Sequence, residues 1–299
     1  IGSHMVWQLG QMGAKVAVLD DLSSGHRDAV IGAELIQGSL ANEALLDLVL
    51  AKCRFDAVMH FASFIQVGES VRDPAKYYRN NVANTLNLIE AMQRHGVKRF
   101  VFSSTAAVYG NPAYVPIDEA HPQQPINPYG RSKLMIEQVL ADFALAYGMQ
   151  SVCLRYFNAA GRNVEAGLYE EHEPETHLIP NIMKDYKADV YGYDFDTQDG
   201  TAIRDYIHVD DIARAHALAI YHNVPAGIYN LGTNQGTSNK EIIAAAEQIT
   251  GQKLLVSVGE QRAGDPPALT ASSAKFDMVA GAWRHYNLDD MIQHAWTWY

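Results

Sequence analysis

Strand-like apolar runs alternate with stretches of helical periodicity through the first half of the chain, and this alternation restricts the fold more than any other feature. Residues 15–19, 34–37, 55–62, 99–103 and 151–155 read as strands. Between them, 42–52, 74–95 and 129–147 read as helices, with Pro74 suited to a first helical turn. An apolar stripe from Gly2 through Met5, Val6 and Leu9 to Met12-Gly13 places one more helix ahead of the first strand. Strands separated by helices of this length imply right-handed βαβ units and a parallel sheet. The expected fold is α/β: a doubly wound parallel sheet followed by a smaller α/β region. Beyond Asn158 the rhythm breaks, and residues 161–180 read as a long functional loop or a domain switch. Helices are expected again at 210–222, 238–250 and 288–299.

Composition removes several function classes. With 23 Lys+Arg against 34 Asp+Glu the net charge is −11, which disfavours nucleic acid or an anionic membrane as partner. No run approaches the roughly 20 apolar residues of a membrane helix. Cys53 and Cys153 are the only cysteines in 299 residues, too few for a disulfide scaffold. A cytoplasmic enzyme is expected. His172 and His177 stand five apart in a loop rather than at helical ligand spacing, so no metal set is expected.

An open parallel sheet binds its ligand at the carboxyl ends of its strands. Asp20 closes the first strand, where an acid can accept from the ribose hydroxyls of a dinucleotide and disfavour a 2′-phosphate; the plain alternative is a surface carboxylate. Ser103, Ser104 and Thr105 end another strand, where hydroxyls either meet a substrate or cap the loop. Tyr129 and Lys133 lie one helical turn apart on a common face. A free phenol titrates near ~10 and is a poor base; an ammonium and a cationic ring beside it lower that value. A helix-surface Tyr packing on a Lys stem has the same spacing.

The ordered motifs carry a resemblance. Gly2-Ser-His4, Asp20-Asp-Leu-Ser23, His60-Phe-Ala62, Ser103-Ser-Thr105, Val108-Tyr-Gly110, Tyr129-x-x-x-Lys133, Arg155-Tyr-Phe-Asn158 and the string Asp199 to Val209 resemble the extended short-chain dehydrogenase/reductase family. Tyr229-Asn-Leu-Gly232 and Arg262-Ala-Gly-Asp-Pro266 narrow the likeness to members that invert C4 of a UDP-sugar. The resemblance implies NAD as cofactor, a transient 4-keto sugar and a homodimer. It implies Tyr129 as base, Lys133 as its electrostatic partner and Thr105 as proton relay. NAD contacts are implied for Gly2, Asp20, Asp21, Ser39, Leu40, Phe61, Ala62, Asn80, Ser103, Tyr129, Lys133 and Tyr156. UDP-sugar contacts are implied for Thr105, Asn158, His177, Leu178, Arg204, Tyr206, Arg262 and Asp265. Ion pairing with Asp205 or Asp265 is the plain alternative for the two arginines. A nucleotide-binding domain over 1–158 and a substrate domain over 159–299 follow, with about 203–232 returning to the first.

Four positions depart from the family's pattern. Ser39 replaces an Asp at the adenine, His177 an Asn near the diphosphate, and Ile65 a Lys beside the nicotinamide ribose. Leu269 replaces a bulkier Tyr at the sugar pocket, and so would admit N-acetylated sugars. Related reactions remain: another UDP-sugar epimerase, or a non-catalytic NAD-responsive regulator, which would have no need of the Tyr129–Lys133 pair. Dehydration is disfavoured, because Ala106-Ala107 follow Thr105 where an acid-base pair is needed. Gly2 matches the last glycine of the phosphate-binding loop, so a strand and the leading glycines are expected ahead of Ile1. Gly2-Ser3-His4-Met5 also reads as an affinity-tag remnant, but Ile1 and the unbroken apolar stripe count against that.

Overall fold

A computed structural model describes residues 1–172, 175–262 and 265–298. Four parallel strands form the central sheet in the order Gly227–Leu231, Gln150–Tyr156, Arg99–Thr105 and Ala57–His60. A second parallel pair, Ala17–Asp20 with Glu34–Gln37, stands beside it. Both sheets place their carboxyl ends on one cavity.

Period-two alternation divides the central strands between two cores. Phe100, Phe102 and Cys153 point to one face, where Leu88, Ile89, Met92, Ile136 and Leu140 cover them. Val101, Val152 and Leu154 point to the other, beneath Ile212, Ala215, Ala219, Phe276 and Trp283. A sheet buried on both sides this way is doubly wound. Helix Gly2–Gln11 packs its Met5 against Ala213 and Ala217 of helix Val209–Tyr221 on that second face. Strand Gly227–Leu231 joins the sheet from the far side of the 203–232 segment, pairing Tyr229 with Leu154.

The remaining elements build a smaller layer at the carboxyl ends. Strand Lys187–Tyr191 pairs in parallel with Leu255–Gly259, and Ile203–Arg204 lies between Thr237–Ser238 and Ala268–Leu269. Helices Leu178–Asp185, Asn239–Thr250 and Leu288–Trp296 enclose a third core around Ile182, Ile242 and Ile292. No described helix is long and apolar enough to cross a membrane.

Expected and observed elements differ mainly at one helix. The span 74–95 is not continuous: a helical turn Pro74–Tyr77 passes through a π-helical stretch, Tyr78–Ala83, into helix Asn84–Arg94. The wider turn turns Asn81 inward, where it holds the Phe64 main chain and bonds to Ser132 at 3.1 Å. Helical periodicity survives such an insertion, which is why the sequence reads as one helix. The last helix ends at Trp296, and Tyr299 lies outside the described residues, as do positions 173–174 and 263–264.

Candidate active site

The strand ends open onto one cavity of about 2730 Å³. Strand Arg99–Thr105 carries Ser103 and Thr105 to its wall, both buried, while Ser104 turns away from it. Directly opposite begins helix Pro128–Tyr147, whose Asn127 cap accepts from the Gly130 N–H at 2.8 Å. A side chain at Gly130 would meet the Ala107 carbonyl at 2.4 Å. That close approach seats the first helical turn, with Tyr129, on the loop that follows Thr105. Thr105 Oγ1 in turn accepts from the Ala107 N–H at 3.1 Å, and Ala106–Val108 forms a tight turn.

Lys133 is buried one turn along. Its ammonium donates to Ser63 Oγ at 2.9 Å and to the Ser103 carbonyl at 2.8 Å, leaving one of three donors for a ligand. Burial lowers its pKa to about 7, against the opposing pull of Glu137. Burial also pushes the Tyr129 phenol above its ordinary value, and the neighbouring Thr105 hydroxyl offsets this in part. In the chain alone, burial therefore sets the direction of the shift. Tyr156 hydrogen-bonds Ser103 Oγ, and burial raises its phenol too.

Beneath this group lies an ion pair that motif reasoning missed. Glu137 sits one turn beyond Lys133 and takes Arg155 through both carboxylate oxygens, and it also accepts from Ser104. Arg155 reaches Tyr109 at 2.9 Å, and Tyr109 donates to Asn230 at 2.6 Å. The signal was present: Glu137 continues the i, i+4 series of Tyr129 and Lys133.

Of the expected NAD contacts, Gly2, Asp20, Leu40, Phe61, Ala62, Ser103, Tyr129, Lys133 and Tyr156 line the cavity. Helix Gly2–Gln11 starts at its wall, and Ile1 has no side-chain cap to spend the first N–H groups. That helix start, the Asp20 carboxylate and the spare Lys133 donor suit a dinucleotide's pyrophosphate and riboses. Three expected contacts do not line it. Asp21 accepts from the Ser23 N–H, Ser39 from Ala41, and Asn80 bonds to Asn81.

Of the expected substrate contacts, Asn158, Thr105, His177, Arg204, Arg262 and Asp265 line the same wall, as does Leu269. Arg204 pairs with Asp265, and Arg262 stacks on the Tyr191 ring at 3.7 Å. Asp205 is no partner to either arginine; it accepts from Thr233, Asn234 and Ala271 and pins three loops together. Leu178 and Tyr206, expected at the substrate, pack into the third core instead. Linear spacing excluded His172 and His177 from a metal set, yet the loop folds back so that Glu170, His172, Glu175 and His177 converge. Burial opposes charge on His177, but hydrogen bonds to Glu170 and Glu175 outweigh it and raise the imidazole to about 10.

A doubly wound sheet with a hydroxyl at a central strand end and a Tyr and Lys on the facing helix defines a nucleotide-dependent oxidoreductase-type scaffold. A family model described as "NAD dependent epimerase/dehydratase family" matches residues 1–232. The UDP-glucose 4-epimerase of Lactobacillus helveticus is 45% identical over 310 residues, covering 100% of this chain and 94% of that protein. Among solved structures, Brucella ovis UDP-glucose 4-epimerase in complex with NAD superimposes with a TM-score of 0.95 at 46% identity, covering 99% of this chain and 94% of that one. The UDP-Glc/GlcNAc 4-epimerase of Campylobacter jejuni gives 0.86 at 37% identity, covering 99% and 95%. The chain belongs to the NAD dependent epimerase/dehydratase family, in the branch of the UDP-glucose 4-epimerases.

Proposed function

We propose that the chain is an isomerase that interconverts UDP-glucose and UDP-galactose with NAD as resident cofactor. One observation carries this reading: Thr105, Tyr129 and Lys133 line one cavity together with Arg204 and Arg262. The Gly2 helix start, Asp20, Phe61, Ala62 and Lys133, all on the cavity wall, would hold NAD, which would supply reversible hydride acceptance at C4.

The chain's own groups do the rest. Tyr129 takes the proton from the sugar 4-hydroxyl, with Thr105 binding that hydroxyl and relaying the proton. General-base catalysis of this type contributes typically 10²–10⁴-fold. Lys133 holds the developing phenolate by charge and the cofactor ribose by its spare donor. Arg204 and Arg262 grip the diphosphate, where guanidinium forks match phosphate oxygens. A grip at the diphosphate leaves the sugar free to turn over, so that either face of C4 can be presented in turn to the same side of the cavity.

Purified protein is expected to release NAD on acid denaturation and to interconvert the two UDP-hexoses with no added cofactor. Protein that contains NAD but leaves both sugars unchanged would refute the reading. Leu269 on the cavity wall favours a second substrate class, UDP-N-acetylhexosamines. We further propose a cytoplasmic homodimer of two-domain subunits divided near residue 158. Exposed Leu145 and Tyr147 on helix Pro128–Tyr147 support the dimer as apolar surface; sedimentation of the pure protein tests it.

A further inference from the structure

Between strand Asn158–Ala160 and helix Leu178–Asp185 the loop gathers two imidazoles and two carboxylates at one point. Glu170, His172, Glu175 and His177 each offer one ligand atom, all within 4.8 Å of one another. His177 Nδ1 lies 2.7 Å from Glu170 Oε1 and 3.2 Å from Glu175 Oε1. His172 Nδ1 lies 3.3 Å from Glu170 Oε1 and 3.3 Å from Glu175 Oε2. A tetrahedral ion with bonds of about 2.0–2.1 Å separates its ligand atoms by about 3.3–3.4 Å. With Oε1 of Glu170 and Oε2 of Glu175 as the ligand atoms, both separations from His172 Nδ1 are within about 0.1 Å of that span, while His177 Nδ1 lies closer to Glu170 at 2.7 Å.

The donor chemistry selects the ion. Two imidazole nitrogens with two carboxylates suit zinc, whereas calcium and magnesium take oxygen shells. The carboxylate of Glu175 is also oriented: its Oε1 accepts from the Thr176 and His177 N–H groups at 2.7 and 2.8 Å. Such outer bonds are what fix a ligating carboxylate in metal sites. The ion would sit where the loop meets the start of the helix, with Glu170, His172 and His177 also on the cavity wall. We propose that these four residues form a zinc-class divalent-cation site that braces the loop at the mouth of the cavity. The site is independent of the epimerase reading, since no reaction step uses it.

The test uses the full chain, stripped with a chelator and titrated with zinc by calorimetry and with cobalt(II) by absorption. One ion per chain and the intense visible bands of four-coordinate cobalt are expected. His172→Gln and Glu175→Gln should each weaken zinc binding by at least about 10–100-fold, and zinc should slow amide exchange in the loop only in the parent protein. Equal zinc affinity and stoichiometry in the parent and the double variant would overturn the proposal. So would a cobalt spectrum of the six-coordinate aqua ion, a readout on the parent protein that does not depend on how well a variant folds.

Discussion

Lys133 donates a hydrogen bond to the main-chain carbonyl of Ser103 at 2.8 Å, joining helix Pro128–Tyr147 to the end of strand Arg99–Thr105. Tyr129 stands one turn before Lys133 and Thr105 two residues beyond Ser103. A single buried ammonium therefore sets the register between proposed base and proposed relay. Its second bond, to Ser63 at 2.9 Å, adds the loop that follows strand Ala57–His60.

Tyr129→Phe removes the base and keeps the ring. Turnover of UDP-galactose is expected to fall by about 10²–10⁴-fold, with the fold retained in thermal unfolding. A coupled assay of UDP-glucose formation decides it; unimpaired turnover would exclude Tyr129 as base.

Lys133→Met should change how stability depends on pH. Burial lowers the Lys133 pKa to about 7 from its ordinary 10.5. Between those values the unfolded chain holds a proton that the folded chain lacks, so this group makes stability rise with pH across that window. Below about pH 7 both states are protonated and the dependence vanishes. Denaturant midpoints of the NAD-free parent should gain on those of Lys133→Met from pH 7.5 to pH 10 (about the window of the shift). Parallel profiles would show that Lys133 is not the titrating group.

Glu137→Ala strands the Arg155 guanidinium in the core. Arg155 is 0% and Glu137 4% exposed, and breaking a buried pair from one side costs about 3–5 kcal/mol. The double variant Glu137→Leu with Arg155→Met should recover much of that loss, because no unpaired charge remains. Urea unfolding of the three proteins measures the difference.

Leu269→Tyr is expected to block UDP-N-acetylglucosamine while sparing UDP-galactose. The parent protein should turn over both, as seen by chromatography of the nucleotide sugars. Failure of the parent protein on the N-acetylated sugar would remove Leu269 as a determinant.

Motifs bound to a local period were legible without the structure. Tyr129 and Lys133 share a face because a helix repeats every 3.6 residues, and Phe100, Val101 and Phe102 sort to alternate faces because a strand repeats every two. Asp21, Ser39 and Asn80 rest on motif alone, and in the structure each bonds to a neighbouring group and stands outside the cavity lining. The π-helical stretch at Tyr78–Ala83 left no trace in composition, since one extra residue per turn barely disturbs the apolar pattern.

The sequence by itself determined the alternation of strand and helix, the doubly wound class and the residues able to carry an acid-base reaction, because these depend on short-range periodicity and residue chemistry. Only the tertiary structure decided which of them meet. Lys133 with Ser63, Glu137 with Arg155, and Glu170 and His172 with Glu175 and His177 are pairings set by how elements pack or a loop folds back. Contacts of that kind follow from burial, where an unpaired charge or donor is costly, and burial is a property of the folded chain.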